Sequence, residues 1–368
     1  MTARPPDEKP EEATGTAAPR APTEGSAPAL HPRWVYLVYA FLVLLVARKP
    51  GDFILHDGRV PGAKAEGRID VTTVARRLWD PSSPALAPDA YRPMAAVLIL
   101  GTSRLPGVGD LHTSYTLWRV LTLGLTVLLL DGFARQWLTP GGAFAVVALY
   151  LVGFAHAGFD DKPDGWFEQT IFAAGFLCLA TGRPAWLAPL VTAGTWFRES
   201  VVFLIAAYFF AEARRHNWTR VFVNCTCLLA LWCLSWGAVH HLIGHAYYYS
   251  EVWRLPRNLA GLASYLRAPW KINMSQYLVV GIFGALWAIP YLRRPRGPEY
   301  LERMKWLLPL ALAMTLQLAK IWEVRVFYCH VMYLAPLALW KLFPDLRRKA
   351  FQESSGPTTT TANCSAAD

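Results

Sequence analysis

The sequence predicts an all-α fold: a polytopic transmembrane helical bundle of about ten spans, with a membrane-parallel helix in the first outer loop. Three observations carry that reading. Of 368 residues 54% are hydrophobic and only 17% charged, with a mean hydropathy of +0.24. The charges fall in short clusters between apolar runs of roughly 15–20 residues, about the length a helix needs to cross a hydrocarbon core. Strand-type alternation, which a β-barrel requires, is absent. In lipid each backbone N–H and C=O must be paired within its own segment, which leaves the helical bundle.

The elements follow in order. Residues 1–30 are rich in Pro, Ala, Glu and Thr and nearly lack large apolar side chains, so they read as a disordered cytoplasmic tail. The first apolar run begins near Trp34, too late for a signal peptide. Apolar spans cover 34–48, 115–131, 142–158, 166–181, 185–197, 200–212, 220–243, 275–292, 304–320 and 326–343. Together they make one membrane domain over 31–348, followed by a second tail over 349–368. The two short spans 185–197 and 200–212 share a break at Arg198-Glu199, which makes them either a hairpin or one broken element. Within the first outer loop, 49–114, Val71, Val74, Ala75 and Leu78 recur at helical spacing, with Arg76 and Arg77 toward the polar side. Met94–Leu100 is too short to cross and reads as a re-entrant or interfacial helix.

The net charge of +10 lies between the spans, which excludes a nucleic-acid partner and points to the lipid bilayer. Arg214-Arg215, Arg293-Arg294 and Arg347-Arg348-Lys349 share one side if the spans alternate. By the positive-inside rule that side is cytoplasmic, giving a multi-pass inner-membrane protein with both termini inside. Five of the six cysteines (Cys178, Cys225, Cys227, Cys233 and Cys329) sit in apolar runs as small hydrophobes, not as a disulfide framework. Oligomeric state is not legible.

Candidate chemistry gathers on the outer side. An aspartate at the interface, Asp57 or Asp70, is placed to act as general base for an acceptor hydroxyl; as ordinary loop residues, Asp70 would be a helix N-cap. Arg198 and Glu199 interrupt an apolar region of about 28 residues, where charges persist only if paired or facing a wet cavity. Lys320, Glu323 and Arg325 form a similar knot between the last two spans. Arg198 and Arg325 suit bidentate contact with a phosphate, or else each belongs to a structural ion pair. The Phe159–Asp164 turn, with Asp160 and Asp161, offers hard oxygens for a divalent cation, or is a solvated turn. His241 and His245 have i, i+4 spacing on the 220–243 span, a metal pair or part of an aromatic belt. The 244–274 loop interleaves Arg254, Arg257, Arg267 and Lys271 with Trp253, Tyr265 and Trp270, suiting a lipid-phosphate headgroup.

The layout resembles the GT-C superfamily of polytopic membrane glycosyltransferases over residues 34–343. The matching stretches are Asp57-Gly58, Asp70 through Ala75, Tyr91-Arg92-Pro93-Met94, Trp196 to Ser200, and Glu323 to Leu337. The resemblance implies transfer of a sugar from a polyprenyl-phosphate donor to an acceptor on the outer face. Asp57 or Asp70 would be the base, and Arg92, Arg198, Glu199, Lys320, Glu323 and Arg325 would bind the substrate and its phosphate. The chain departs from the family in lacking a clear acidic pair in the first loop and a large outer domain after the spans. Two other classes stay open: a transporter or flippase for a lipid-linked or anionic solute, and a non-catalytic subunit of an envelope assembly.

Overall fold

A computed structural model describes residues 33–47, 71–80, 91–157, 163–213, 218–245, 253–267, 286–318 and 324–348. Among these residues every regular element is helical, and the one β-type pairing is an isolated bridge between Leu138 and Arg347. The helices are α1 (Arg33–Ala47), α2 (Val71–Arg76), α3 (Pro93–Ser103), α4 (Leu111–Ala134), α5 (Pro140–His156) and α6 (Pro163–Ala180). They continue as α7 (Leu187–Thr195), α8 (Phe203–Glu212), α9 (Trp218–Ile243), α10 (Leu255–Arg267), α11 (Glu299–Met304), α12 (Leu307–Leu318) and α13 (Val331–Leu342).

Local chemistry sets several of these boundaries. Asp110 caps α4 by accepting from the Thr113 amide at 2.7 Å, and Pro93 and Pro140 begin α3 and α5 where a missing N–H costs nothing. At the end of α9, Gly244 turns the chain at φ 70°, a conformation that glycine adopts without strain.

The side-chain register gives the helix directions. Tyr115 meets Trp166, Thr126 meets Thr170 and Phe133 meets Phe176, so α4 and α6 run parallel. Tyr39 donates to Asp131 at 2.9 Å while Arg119 donates to the Val46 carbonyl at 3.3 Å, so α1 runs against α4. Tyr150 donates to Gln169, a side-chain link between α5 and α6. The Tyr328 hydroxyl donates to the Tyr150 carbonyl, bringing the start of the last helical segment to the far end of α5. Every residue of α13 from Val331 to Lys341 is buried, and the helix packs against α4, α5 and α11.

The bundle therefore has two ends. At the Arg92 end lie the starts of α3, α4 and α6, the finishes of α5 and α9, and the Arg198-Glu199 break. At the Lys341 end lie Asp131, Arg135, Glu302 and Arg347.

The structure decides one open choice. Ile171 of α6 faces Gly194, Glu168 holds Arg198 and Ser200, and Leu204 closes on Gly175. The chain thus approaches the start of α6 along α7 and leaves it along α8, a hairpin with Arg198-Glu199 at its tip. A methyl group on Gly175 would lie 2.6 Å from Leu204 Cδ2, so this glycine is what lets α8 pack onto α6.

Other expectations change. The two short helices expected within 49–114 are there as α2 and α3, but α4 begins earlier than expected, at Leu111. The span expected at 326–343 begins as a 3-10 turn, Val324–His330, before becoming α13. Arg77 is not on a polar face; it is 7% exposed and donates to the Ile243 and His245 carbonyls, capping α9. Its guanidinium satisfies carbonyls that the helix end leaves unpaired. Among the described residues two helices, α4 and α9, are long and apolar enough to cross a membrane, against the ten spans expected, and α1, α3 and α5 are shorter apolar helices. Both tails, and most of the span expected at 275–292, fall outside the described residues.

Candidate charge network at the hairpin tip

Five charged side chains from three segments converge at the Arg92 end. Arg92 is placed by Pro93, which starts α3, and by the Met94 amide donating to the Trp196 carbonyl at 3.3 Å. Asp164 and Glu168 stand one turn apart on α6, i and i+4 on one face. Arg198 and Glu199 form the hairpin tip.

The pairing is specific. Arg92 forks onto Glu199, with Nε donating to Oε2 at 2.9 Å and a second bond from Nη2 to Oε1. Its Nη1 donates to Asp164 Oδ2 at 3.2 Å. Arg198 Nη1 donates to Glu168 Oε2 at 2.9 Å and lies 3.8 Å from Asp164 Oδ2. Ser200 donates to the other oxygen of Glu168. The Trp232 indole donates to the Glu199 carbonyl at 3.0 Å, tying the tip to α9. Asp164 therefore bridges two arginines that each hold a further carboxylate.

Burial divides the network. The side chains of Asp164 and Glu168 are both 6% exposed, whereas that of Glu199 is 41% exposed. Burial raises the Glu199 carboxyl; the Arg92 charge, its hydrogen bonds and the Arg198 charge more than offset this and hold it below the usual carboxylate range. For Arg198, burial works against the charged form, and Glu168 outweighs it, so the guanidinium is held more firmly protonated than usual.

An aromatic wall stands beside the tip. Tyr91 stacks on His240 with centroids 3.7 Å apart, and His240 lies 4.0 Å from Trp236. Tyr91 donates to the Gly244 carbonyl at 3.2 Å, fixing the segment before α3 to the end of α9. Farther out, α10 fastens to α12: the Arg254 amide and the Asn258 side chain donate to the Gln317 and Leu316 carbonyls.

The residues singled out by sequence are distributed as follows. Arg92, Arg198 and Glu199 come together, but Arg198 and Glu199 do not pair with each other. Arg92 directs Nε, Nη1 and Nη2 to carboxylates and Arg198 directs Nη1, so that two guanidiniums face three carboxylates. For Arg198 this is the ion-pair alternative offered above. The His241–His245 spacing fails as a metal pair. Helix α9 ends at Ile243, so His245 lies beyond the Gly244 turn, and both histidines are exposed. Among the described residues no group of three or more His, Cys, Asp or Glu is placed to hold a metal ion. Asp57, Asp70, Asp160, Asp161, Lys320 and Glu323, and the side chain of Arg325, lie outside the described residues.

Sequence reasoning missed Glu168 and misjudged Asp164 as part of a surface turn. One signal was available: Glu168 is a charge inside an apolar run, the third residue of it. Arg119 carried the same signal in α4; it is 2% exposed, with its guanidinium 5.6 Å from the Trp166 ring centroid.

No family model matches the chain, no curated protein matches its sequence, and no solved structure matches its fold.

Proposed function

We propose that this chain is a multi-pass inner-membrane glycosyltransferase that moves a sugar from a polyprenyl-phosphate donor to an acceptor on the outer face. One observation carries the reading: five charges meet at a hairpin tip at one end of the bundle, where one carboxylate, Glu199, is half exposed. Charges kept at such a position are costly in lipid and mark a working site. The packed core beneath this network suits a one-sided enzyme better than a transporter. Between Glu168 and the Lys341 end, the core is filled by Phe172, Phe176, Tyr328 and Tyr333, all fully buried. A transport path would have to breach that layer.

In this reading the α7–α8 hairpin carries its tip to the outer face. The network positions the tip. A carboxylate held ionised and bonded twice to one guanidinium is a weak base, so Glu199 orients and the base is Asp57 or Asp70. That aspartate takes the proton of the acceptor hydroxyl as the oxygen attacks the anomeric carbon. The bond from that carbon to the phosphate oxygen breaks, and the electron pair leaves with the polyprenyl phosphate. Lys320 and Arg325, with the basic residues around α10, stabilise the departing phosphate.

The test uses the purified full chain in lipid vesicles with polyprenyl-phosphate-linked hexoses and pentoses. Sugar transfer should fall at least a hundredfold in Asp57→Ala or Asp70→Ala and in Arg325→Ala. Unchanged transfer in all three variants would sink the reading, as would movement of the intact donor across the vesicle without transfer.

A further inference from the structure

The Lys341 end carries a cavity of about 1170 Å³ lined by Tyr291, Leu292, Arg293, Arg294, Pro295, Arg296, Glu302, Lys305 and Trp306. Its size compares with the roughly 300–1,000 Å³ of ligand pockets. Arg293, Arg294 and Arg296 are all exposed, and among the described residues none of them has a carboxylate within ion-pair distance. The one acid in the lining, Glu302, is already committed. It accepts from Lys341 Nζ at 2.8 Å, from Lys305 Nζ at 2.5 Å and from the Gly297 amide at 2.8 Å.

That commitment makes the cavity a built feature. Lys341 also donates to the Pro290 and Leu292 carbonyls at 2.9 and 2.6 Å, and Lys305 donates to the Pro290 carbonyl at 3.2 Å. The Tyr291 hydroxyl donates to the Lys305 carbonyl at 2.6 Å. Gly297 sits so close to Leu337 that a methyl group there would lie 2.3 Å from Leu337 Cδ1. The arginine loop is thus pinned at both ends to α11 and α13. Lys341 is 6% exposed, and such burial of an ion pair yields little net stability. Its structural effect is to fix where the three arginines stand.

We propose that this cavity binds the phosphodiester headgroup of an anionic membrane lipid. Guanidiniums match phosphate oxygens in a bidentate fork, and three of them without internal partners leave a strong unmet positive field. Leu292 and Trp306, each 54% exposed, flank the cavity as an apolar edge where acyl chains would lie. A soluble phosphate would have no use for that edge. The choice of a lipid rests on the membrane reading above; the anion site itself does not, nor does it rest on sugar transfer.

The experiment measures thermal unfolding of the full chain in neutral detergent. Phosphatidylglycerol, phosphatidylcholine or sodium phosphate is added at matched ionic strength. Phosphatidylglycerol should raise the melting temperature and phosphatidylcholine should not. The triple variant Arg293→Gln, Arg294→Gln, Arg296→Gln should lose affinity for phosphatidylglycerol on the order of a hundredfold, about fivefold per basic residue compounded over three. The corresponding triple Lys variant should keep most of it and confirms that the loop still folds. An unchanged response in the Gln variant, or none in the wild type, overturns the site. An equal response to inorganic phosphate overturns the lipid assignment.

Discussion

Arg92 and Glu199 stand 107 residues apart in the chain and meet through a two-bond fork at the tip of a helical hairpin. Because Arg92 also holds Asp164, it is the residue that joins the hairpin to α3 and α6 at once.

Replacing Arg92 with Gln removes the cation shared by two carboxylates, one of them buried. Breaking a buried pair costs about 3–5 kcal/mol, and the exposure of Glu199 places this variant near the lower figure. Glu199→Gln should cost less, about 1 kcal/mol, because Asp164 keeps its partner. Denaturant unfolding of both variants and their double mutant measures the coupling; additive effects would remove Arg92 as the joint.

Acid should loosen the tip. The Glu199 carboxyl is held below its ordinary value of about 4.3, so its contribution to stability is complete above that pH. The contribution disappears as pH falls through the depressed folded value. Glu302 is lowered likewise, against burial, by bonds from Lys305 and Lys341, so it shares the window. Melting temperature followed from pH 7 to pH 3 should fall below about pH 4, and Glu199→Gln should show the smaller fall.

Gly175→Ala should destabilise by about 1–3 kcal/mol through overpacking against Leu204. Shortening the neighbour, in Gly175→Ala with Leu204→Ala, should recover part of that loss. A double variant less stable than the sum of its parts would show that α6 and α8 do not meet there as described.

Arg77→Ala should fray the end of α9. Two carbonyls, of Ile243 and His245, lose their donor, at about 1–2 kcal/mol. Amide exchange should quicken at 240–245 and stay unchanged in the middle of α9, around Leu228.

Much of this fold was legible. The helical class, the extents of α1, α5, α6 and α9, and the break at Arg198-Glu199 follow from run length and from charges set in apolar sequence. What stayed hidden is pairing between segments. Arg198 finds Glu168, 30 residues back, and Glu199 finds Arg92 from another helix altogether. Spacing along one helix says nothing about which face a distant helix presents. The histidine pair misled for a related reason: i, i+4 spacing has meaning only while the helix lasts, and Gly244 ends it. Arg77 looked polar because its pattern was read on α2 alone, without the carbonyls at the end of α9 that it serves.

The position of α13 bears on how the molecule is made. Its eleven buried residues, Val331 to Lys341, come after every other helix described here in the order of synthesis. Until they are made, Tyr150, Phe176 and Met304 lack the side chains that they pack against in the finished bundle. The earlier helices must therefore wait in a loose arrangement and close together late, when the last helix packs against them.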